Sequence, residues 1–274
     1  MLATRVVLLG TGTPIPNPKR SGPSVAIIVG ESVYLVDFGP GVVRRAVEAG
    51  LKPAQLTHAF LTHLHSDHTA GYPDLILTPA VVGRKVALEV YGPPGLQSMT
   101  NHILAAYEED LRERVDGLEP AISEGYVVNV DEFSGDDPRV VYQDGQVSVE
   151  AFPVLHGSWP AYGYKFFTPD KTILISGDTA PSPRIIEMAR GCDILVHEVY
   201  SSVSLKTRPA EWIEYHTSMH TSSHELADVA SQARPRLLVL YHQLNWESTD
   251  EELLTEVKER YDGSVVSGSD LDSF

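Results

Sequence analysis

Residues 62–68, with the sequence THLHSDH, bring three histidines and an aspartate together within six consecutive positions. Imidazole nitrogens and carboxylate oxygens are ligands that divalent ions such as zinc bind. In an extended chain the side chains of His63 and His65 point in the same direction, and Asp67 joins them if the extension persists. His68 can join only if the chain turns, which the sequence there permits. Two groups of ligands around a turn suit two adjacent metal ions better than one.

Later in the chain, further candidate ligands follow apolar runs that are expected to be strands. They are His156 in FPVLHGS, Asp178 in ILISGDTA, His197 and Glu198 in DILVHEVY, and His242 in LLVLYHQ. A polar group buried without a partner costs on the order of 1–3 kcal/mol, and an unpaired charge costs more. Side chains from separate strands avoid this cost if they converge on a cluster of divalent cations, which supplies their counter-charge.

The chain of 274 residues is strongly acidic, with 37 Asp and Glu against 21 Lys and Arg and a formal net charge of −16. A large sequence-independent affinity for nucleic acid depends on Lys and Arg that neutralise phosphates. The charge therefore argues against that class of partner, although bound divalent cations would offset part of it. The single cysteine, Cys192, excludes an intrachain disulfide framework and a multi-cysteine metal site. It precedes an apolar run, which favours a small buried filler over a nucleophile.

No apolar stretch of the sequence approaches the roughly 20 residues of a transmembrane helix. The N-terminal sequence MLATRVVLLGTGTP lacks the charged segment, apolar block and cleavage site of a signal peptide. We therefore expect a cytoplasmic protein without a membrane partner.

The elements that position the candidate ligands are short strands bounded by Gly, Pro or polar turns. The strand-like segments are TRVVLLG, SVAIIVG, SVYLVDFG and HAFLTHL in the first half, and VSVEAFPVLH, AYGYKFFT, KTILISGD, CDILVHEVY and PRLLVLYH in the second. Helical spacing predicts helices over residues 40–50, 97–117, 182–191 and 222–233.

Two successive β-rich halves, each with helices, predict an α+β fold in which two sheets pack face to face with helices outside. No linker and no low-complexity tract separates the halves in the sequence. We therefore expect one domain over residues 1–274.

The motif THLHSDH resembles the HxHxDH signature of the metallo-β-lactamase superfamily. His156, Asp178 and His242 occur in the order and in the contexts of the remaining ligands of that superfamily. The resemblance extends over essentially the whole chain, including LLGTGTP and YLVDFGPG near the N-terminus. It implies a metallo-β-lactamase αββα sandwich, with two mixed β-sheets face to face and helices outside.

The resemblance also implies a ligand set that two divalent metal ions share. One ion would be bound by His63, His65 and His156, the second by Asp67, His68 and His242, and both by the bridging Asp178. Ligation by nitrogen and oxygen fits Zn²⁺, with Mn²⁺ or Fe as alternatives. Two such ions about 3.5–4 Å apart can share a hydroxide nucleophile at neutral pH and stabilise the charge that develops in an in-line displacement.

Within the superfamily, the sequence resembles the branch that holds tRNase Z and the arylsulfatase-like hydrolases. LVHEVY resembles a His-Glu pair after a strand, and MHTSSHELADVA resembles a later histidine motif that opens a helix. By this resemblance Glu198 orients His220, and His220 stabilises the transition state or protonates the leaving oxygen. With the ligand Asp67, these are the expected catalytic residues. Asp37 in LVDFG matches an acidic position near the metals and is expected to orient a ligand or the turn.

The segment between His156 and Asp178 departs from bacterial tRNase Z, which usually carries a long arm there that grips tRNA. Only GSWPAYGYKFFTPDKTILISG separates the two ligands, which is enough for two strands and a turn. The missing arm and the net charge both make nucleic acid an unlikely partner. Trp159 and Tyr162 in this segment are candidates for a pocket wall against an aryl or apolar leaving group, with packing in the sheet as the alternative.

These observations favour a dinuclear metal-dependent hydrolase of small phosphodiesters or sulfate esters, with a small-molecule ester as its substrate. The first alternative is tRNA 3′ processing without the arm. The second is a lactonase or β-lactamase, because the same metal pair hydrolyses cyclic carbonyl substrates. A non-enzymatic, metal-stabilised binding module would require a lost ligand, and none is missing from the sequence. The resemblance further implies a homodimer.

Overall fold

The computed structural model describes residues 3–119 and 121–274. These residues form two compact units. The N-terminal unit comprises Arg5–Ser134 and Asp270–Phe274, and the C-terminal unit comprises Gly135–Ser269 with residues 3–4. The single domain expected over residues 1–274 stays a prediction. Within the described ranges, no helix combines the length and the apolar composition that a membrane crossing requires.

Six strands form a mixed sheet in the N-terminal unit: β1 (Thr4–Gly10), β2 (Ser24–Val29), β3 (Ser32–Val36), β4 (Leu56–Phe60), β5 (Leu88–Gly92) and β6 (Val128–Glu132). They lie in this order across the sheet, with an antiparallel pair of β2 and β3 and parallel pairs from β3 to β6. Every residue of β2 is buried, which explains its continuous apolar sequence. The helices are α1 (Val42–Glu48), α2 (Ser66–Thr69), α3 (Tyr72–Val81), α4 (Leu96–Ala106) and α5 (Glu108–Asp116).

Arg84 follows α3 and is buried together with its guanidinium group. It donates hydrogen bonds to the carbonyl oxygens of Leu56, Leu75, Ile76 and Gly125. Burial lowers the pKa of Arg84 to about 10. These hydrogen bonds join α3 to the start of β4 and to the turn around Gly125, so Arg84 stabilises the end of the N-terminal unit where three elements meet.

The predicted continuous helix over residues 97–117 is wrong, because α4 and α5 are separated at Tyr107. Tyr107 has a φ of −107° and a ψ of 17°, outside the helical region. α4 buries Leu96 and Thr100, whereas α5 buries none of its residues. A helix without a buried face gains little from tertiary packing, so nothing in α5 holds it in line with α4.

Seven strands form the mixed sheet of the C-terminal unit: β7 (Arg139–Gln143), β8 (Ser148–Pro153), β9 (Tyr162–Phe167), β10 (Thr172–Ile175), β11 (Ile194–Tyr200), β12 (Leu237–Leu244) and β13 (Val265–Ser267). They lie in sequence order across the sheet, antiparallel from β7 to β10 and parallel from β10 to β13. The helices are α6 (Pro183–Ala189), α7 (Ala210–Met219), α8 (Ser223–Ala233) and α9 (Asp250–Lys258).

A capping box fixes the N-terminus of α8. The hydroxyl of Ser222 accepts a hydrogen bond from the amide of Glu225 (3.2 Å), and the carboxylate of Glu225 accepts one from the amide of Ser222 (3.0 Å). Because α8 begins three residues after His220, the box also limits the conformations open to that histidine. Cys192 lies in the apolar core that α8 shares with β11, and burial raises the pKa of its thiol to about 12.

The two mixed sheets with helices confirm the predicted α+β class. The helices predicted over residues 40–50, 182–191 and 222–233 are present as α1, α6 and α8. The sequence patterns do not predict β6 or β7, because these strands are largely exposed and lack a continuous apolar run.

Candidate metal centre

The histidine-rich motif begins just after β4 and continues into α2. The amide of Thr62 donates a hydrogen bond to Oδ1 of Asp37 (2.8 Å), and the hydroxyl of Thr62 lies 3.0 Å from each carboxylate oxygen. The amide of His68 donates to the carbonyl oxygen of His65 (3.1 Å) and closes a turn. The turn that the sequence permits is therefore present, and it places the ring of His68 4.2 Å from that of His63.

Three of the four candidate ligands of the N-terminal unit are buried, and the fourth, His65, is partly buried. His63 and His68 are fully buried, and Asp67 is 8% exposed. Nε2 of His63 lies 3.0 Å from Nδ1 of His65. Two nitrogen ligands of one tetrahedral zinc ion are roughly 3.3 Å apart, because each Zn–N bond is about 2.0–2.1 Å. The spacing of the two imidazoles therefore fits ligation of a shared ion.

Asp37 directly follows β3 and is 2% exposed, with a φ of 60° in the left-handed region. Its Oδ2 accepts a hydrogen bond from Nδ1 of His68 at 2.7 Å. Nε2 of His68 is consequently the atom suited to a metal, and Oδ2 of Asp67 lies 3.6 Å from it. A carboxylate on the far nitrogen is the usual partner of a metal-binding histidine. Asp37 is therefore placed to hold the ring of His68, and its orienting role stays a prediction.

In the C-terminal unit, His156 follows β8 and Asp178 follows β10, and both side chains are buried. Nδ1 of His156 donates a hydrogen bond to the carbonyl oxygen of Met219 (2.9 Å). This bond makes Nε2 of His156 the atom suited to a metal. Potential ligand atoms of His156 and Asp178 lie within 4.8 Å of each other.

His242 lies in β12 at a β-bulge, opposite the register shift between Glu198 and Val199 of β11. Its φ of 43° is in the left-handed region, which residues other than glycine rarely adopt. Nε2 of His242 lies 3.6 Å from Oδ2 of Asp178. Potential ligand atoms of Asp178, His220 and His242 all lie within 4.8 Å of one another. Backbone strain of this kind is concentrated at functional sites, which supports a functional role for His242.

Glu198 is fully buried in β11 and faces His220. Its Oε1 accepts hydrogen bonds from the amides of Thr179 (3.1 Å) and Thr221 (3.0 Å) and lies 3.3 Å from Nδ1 of His220. Burial, followed by the charge of Asp178, raises the pKa of Glu198 well above its usual range. Among the described residues, Oε2 of Glu198 has no hydrogen-bond partner. A buried pair of carboxylates of this kind fits a nearby divalent cation, which would stabilise their charged forms.

Aromatic rings that the sequence motifs do not single out surround His220. The ring centroid of His220 lies 5.2 Å from that of His156, 5.6 Å from that of His216 and 6.3 Å from that of Tyr215. The available sequence signal is the i, i+4 spacing of His216 and His220 along a helical face. Such spacing is more often a sign of packing than of function, so the sequence alone does not reveal these neighbours.

The other histidine of the predicted His-Glu pair, His197, is fully buried in β11. Its Nδ1 lies 2.7 Å from the carbonyl oxygen of Glu198. Burial lowers the pKa of His197 to about 4, so the ring is neutral near pH 7. These properties fit a core residue.

The two predicted pocket residues lie in different surroundings. Trp159 is 41% exposed, and its amide donates a hydrogen bond to the carbonyl oxygen of His156 (3.2 Å). Tyr162 is buried in β9, and burial raises the pKa of its hydroxyl. A substrate can therefore contact Trp159 more readily than Tyr162, and the pocket role of both stays a prediction. Residues 157–177 form β9, β10 and the turns around them, without an arm.

A cavity of about 730 Å³ lies beside Asp67 in the N-terminal unit. Its walls include Pro14, Pro16, Arg20 and Ser66. This volume is within the range of pockets that bind small organic ligands. The cavity therefore provides room for part of a substrate next to a candidate metal ligand.

Comparison with known proteins agrees with this constellation of residues. The sequence profile of the β-lactamase superfamily domain matches residues 33–243. The chain is 34% identical to ribonuclease Z of Mycobacterium marinum over 241 residues, which are 86% of this chain and 85% of that protein.

Solved structures show the same fold. YhfI of Bacillus subtilis, a metallo-β-lactamase fold protein, has a TM-score of 0.76 at 18% identity and covers 99% of both chains. The short form of human tRNase Z has a TM-score of 0.74 at 22% identity and covers 98% of both chains. The chain therefore belongs to the metallo-β-lactamase superfamily, in its ribonuclease Z-like branch.

Proposed function

We propose that the protein is a metal-dependent phosphodiesterase that removes the 3′ extension of precursor tRNA, the first of the alternatives that the sequence left open. The observation that carries the proposal is the pair of Glu198 and His220, in which Oε1 lies 3.3 Å from Nδ1 beside Asp178 and His242. A histidine held in this way can give a proton to a leaving ribose oxygen, which is a poor leaving group without one. The identity to ribonuclease Z over most of the chain supports the same assignment.

The proposed cofactor is a pair of divalent cations. The candidate ligands are His63, His65, Asp67, His68, His156, Asp178 and His242. All seven ligands are imidazoles or carboxylates, which favours zinc. When bound, the cations supply Lewis acidity toward the phosphate and lower the pKa of water.

The side chains around the ligands keep a fixed orientation during the reaction. Asp37 and the carbonyl oxygen of Met219 select the tautomers of His68 and His156 through their Nδ1 atoms. Oε1 of Glu198 lies 3.3 Å from Nδ1 of His220, an arrangement that would leave Nε2 of His220 for the substrate. Water adds to phosphorus and releases one proton to solvent, the bond between phosphorus and the leaving oxygen breaks, and that oxygen takes the proton of Nε2, which His220 regains from solvent.

The similarity to ribonuclease Z supports a different substrate from the one that the sequence patterns favour. Net charge and the short segment after His156 favour small esters over nucleic acid, whereas the similarity to ribonuclease Z favours an RNA substrate. A small phosphodiester remains the second candidate substrate, because residues 157–177 form two strands and turns rather than an arm. The lactonase and sulfatase alternatives gain no support from the site, and neither does the binding module.

The test is cleavage of a precursor tRNA with a 3′ trailer by zinc-loaded protein, with bis(p-nitrophenyl) phosphate and an aryl sulfate measured in parallel. We expect one cut at the 3′ end of the mature tRNA and loss of cleavage in Asp67→Ala. Turnover of the small diester without cleavage of precursor tRNA would overturn the proposal in favour of the second candidate. Turnover of the sulfate ester alone would overturn both.

A further inference from the structure

The helix α7 leads to His220 and presents two aromatic side chains to solvent. Trp212 is 46% exposed and Tyr215 is 38% exposed, and their ring centroids are 5.6 Å apart at an angle of 81°. The ring centroid of Tyr215 lies 6.3 Å from that of His220. Exposed aromatic rings next to a proposed general acid can bind part of the substrate.

The neighbouring face of α7, which contains His216, is packed against the protein, so the exposed rings have a rigid support. His216 is buried on α7, and its ring centroid lies 4.8 Å from that of Trp246 and 5.7 Å from that of Trp212. Ile213 and Trp246 pack against a small apolar cluster formed by Tyr200, Leu205 and Leu244. A ring held on a packed helix loses little conformational entropy when it binds a ligand.

Arg208 lies just before α7. The guanidinium group of Arg208 lies over the ring of Trp246, 5.9 Å from its centroid. Among the described residues no carboxylate forms an ion pair with Arg208, and its buried Nε makes no hydrogen bond. An arginine without an acidic partner, four residues before the exposed Trp212, offers groups for both parts of a nucleotide, since a guanidinium pairs with phosphate and aromatic rings stack on bases.

We propose that Trp212, Tyr215 and Arg208 form a single-stranded RNA ledge, on which bases next to the scissile phosphate stack while Arg208 binds a backbone phosphate. The ledge rests on the proposed function, and it specifies which surface holds the single-stranded part of the precursor. Trp212 is eight residues from His220, about 12 Å along a helical path. This length corresponds to roughly three to four stacked nucleotides at 3.4 Å each. The ledge therefore holds nucleotides close to the cut.

Substitutions of the aromatic residues of the ledge and of Arg208 should have different effects on the binding of precursor tRNA. Trp212→Ala should raise KM roughly 5- to 140-fold, the range seen when a base-stacking aromatic residue is truncated, and kcat should change much less. Trp212→Phe should restore most of the affinity because it keeps an aromatic face. Tyr107→Ala removes a side chain that is 40% exposed between α4 and α5 of the N-terminal unit, and it should leave KM unchanged.

The salt dependence separates phosphate binding from stacking. Arg208→Met keeps the packing of the aliphatic stem and should reduce the slope of log affinity against log salt by about 0.7, the value for one phosphate on a single strand. Arg208→Lys should keep the slope, and so should Trp212→Ala. An unchanged slope in Arg208→Met would overturn the role of Arg208.

Direct binding separates failure of the ledge from failure of the proposed function. Addition of a short single-stranded oligoribonucleotide should quench tryptophan fluorescence in wild-type protein, but far less in Trp212→Phe. If wild-type protein cleaves precursor tRNA while Trp212→Ala keeps its KM, the ledge is wrong and the proposed function stands. If no precursor is cleaved but quenching depends on Trp212, the proposed function is wrong and the ledge stands.

An equal fall in kcat for precursor tRNA and for bis(p-nitrophenyl) phosphate in Trp212→Ala would show a structural role of Trp212 instead and overturn the ledge.

Discussion

Oδ2 of Asp37 accepts a hydrogen bond from Nδ1 of His68 at 2.7 Å, and both side chains are buried. Because this bond fixes the ring, Asp37→Asn should weaken metal binding by roughly 10- to 100-fold, the usual effect of losing such a partner. Asparagine is the matched change, since it also tolerates the φ of 60° at this position. The measurement is competition for zinc against a chromophoric chelator.

Asp74→Asn is the control for this prediction. Asp74 pairs with Arg44 at 3.0 Å on the surface of the same unit, so its substitution should leave zinc affinity unchanged. Equal zinc affinity in Asp37→Asn and wild-type protein would show that the ligand keeps its orientation without the carboxylate.

Substitution of Arg84 should lower the free energy of unfolding strongly and leave the candidate metal centre unchanged. Arg84→Met keeps much of the apolar stem but leaves buried carbonyl oxygens without donors, at about 1–3 kcal/mol for each unsatisfied group. We expect the free energy of unfolding to fall by about 3 kcal/mol or more, measured by urea denaturation. Arg84→Lys should lose less, because an ammonium group still supplies three donors. Wild-type stability of Arg84→Met would mean that water replaces the guanidinium.

The candidate ligands could be predicted because their signals are local. Residues 62–68 contain four potential ligands close together in sequence, and His156, Asp178 and His242 each follow an apolar run. The partners of Glu198 could not be predicted, since Thr179 and Thr221 lie 19 and 23 residues away. Arg84 likewise occurs in a sequence that resembles a surface turn, and it binds carbonyl oxygens 8 to 41 residues away.

The substrate class was harder to predict from the sequence than the candidate ligands. The small-ester hypothesis depends on two observations, the net charge and the missing arm. The net charge is a total over the whole chain and does not describe the surface around the site, and the arm is only one segment. The similarity to ribonuclease Z is instead spread over 241 residues and has no single motif. Exposure of Trp212 and Tyr215 could not be predicted either, because an aromatic stripe at helical spacing is also the pattern of a buried face.

The buried thiol of Cys192 should react only slowly in the folded protein. Burial raises its pKa to about 12 from 9.0, so the folded state favours the neutral thiol. This contribution to stability is present below the unfolded pKa of 9.0 and is lost as the pH rises toward 12. At pH 8 the thiolate fraction falls from about one tenth in the unfolded chain to about 10⁻⁴ in the fold. Reaction with a disulfide reagent should therefore be at least about 10³-fold slower in native protein than in urea-unfolded protein, and comparable rates would contradict this environment.

Substitution of Glu198 or His220 should reduce kcat by an amount that depends on the leaving group of the substrate. If His220 gives its Nε2 proton to the leaving oxygen, His220→Ala should reduce kcat by roughly 10²- to 10⁴-fold on RNA, whose leaving ribose oxygen is strongly basic. The loss should be much smaller on bis(p-nitrophenyl) phosphate, because p-nitrophenolate leaves without a proton. Glu198→Gln should show the same dependence with a smaller loss, since the amide oxygen can still accept from Thr179 and Thr221. Zinc content measured in each variant controls for loss of the metal, and equal losses on both substrates would assign His220 to binding instead of proton transfer.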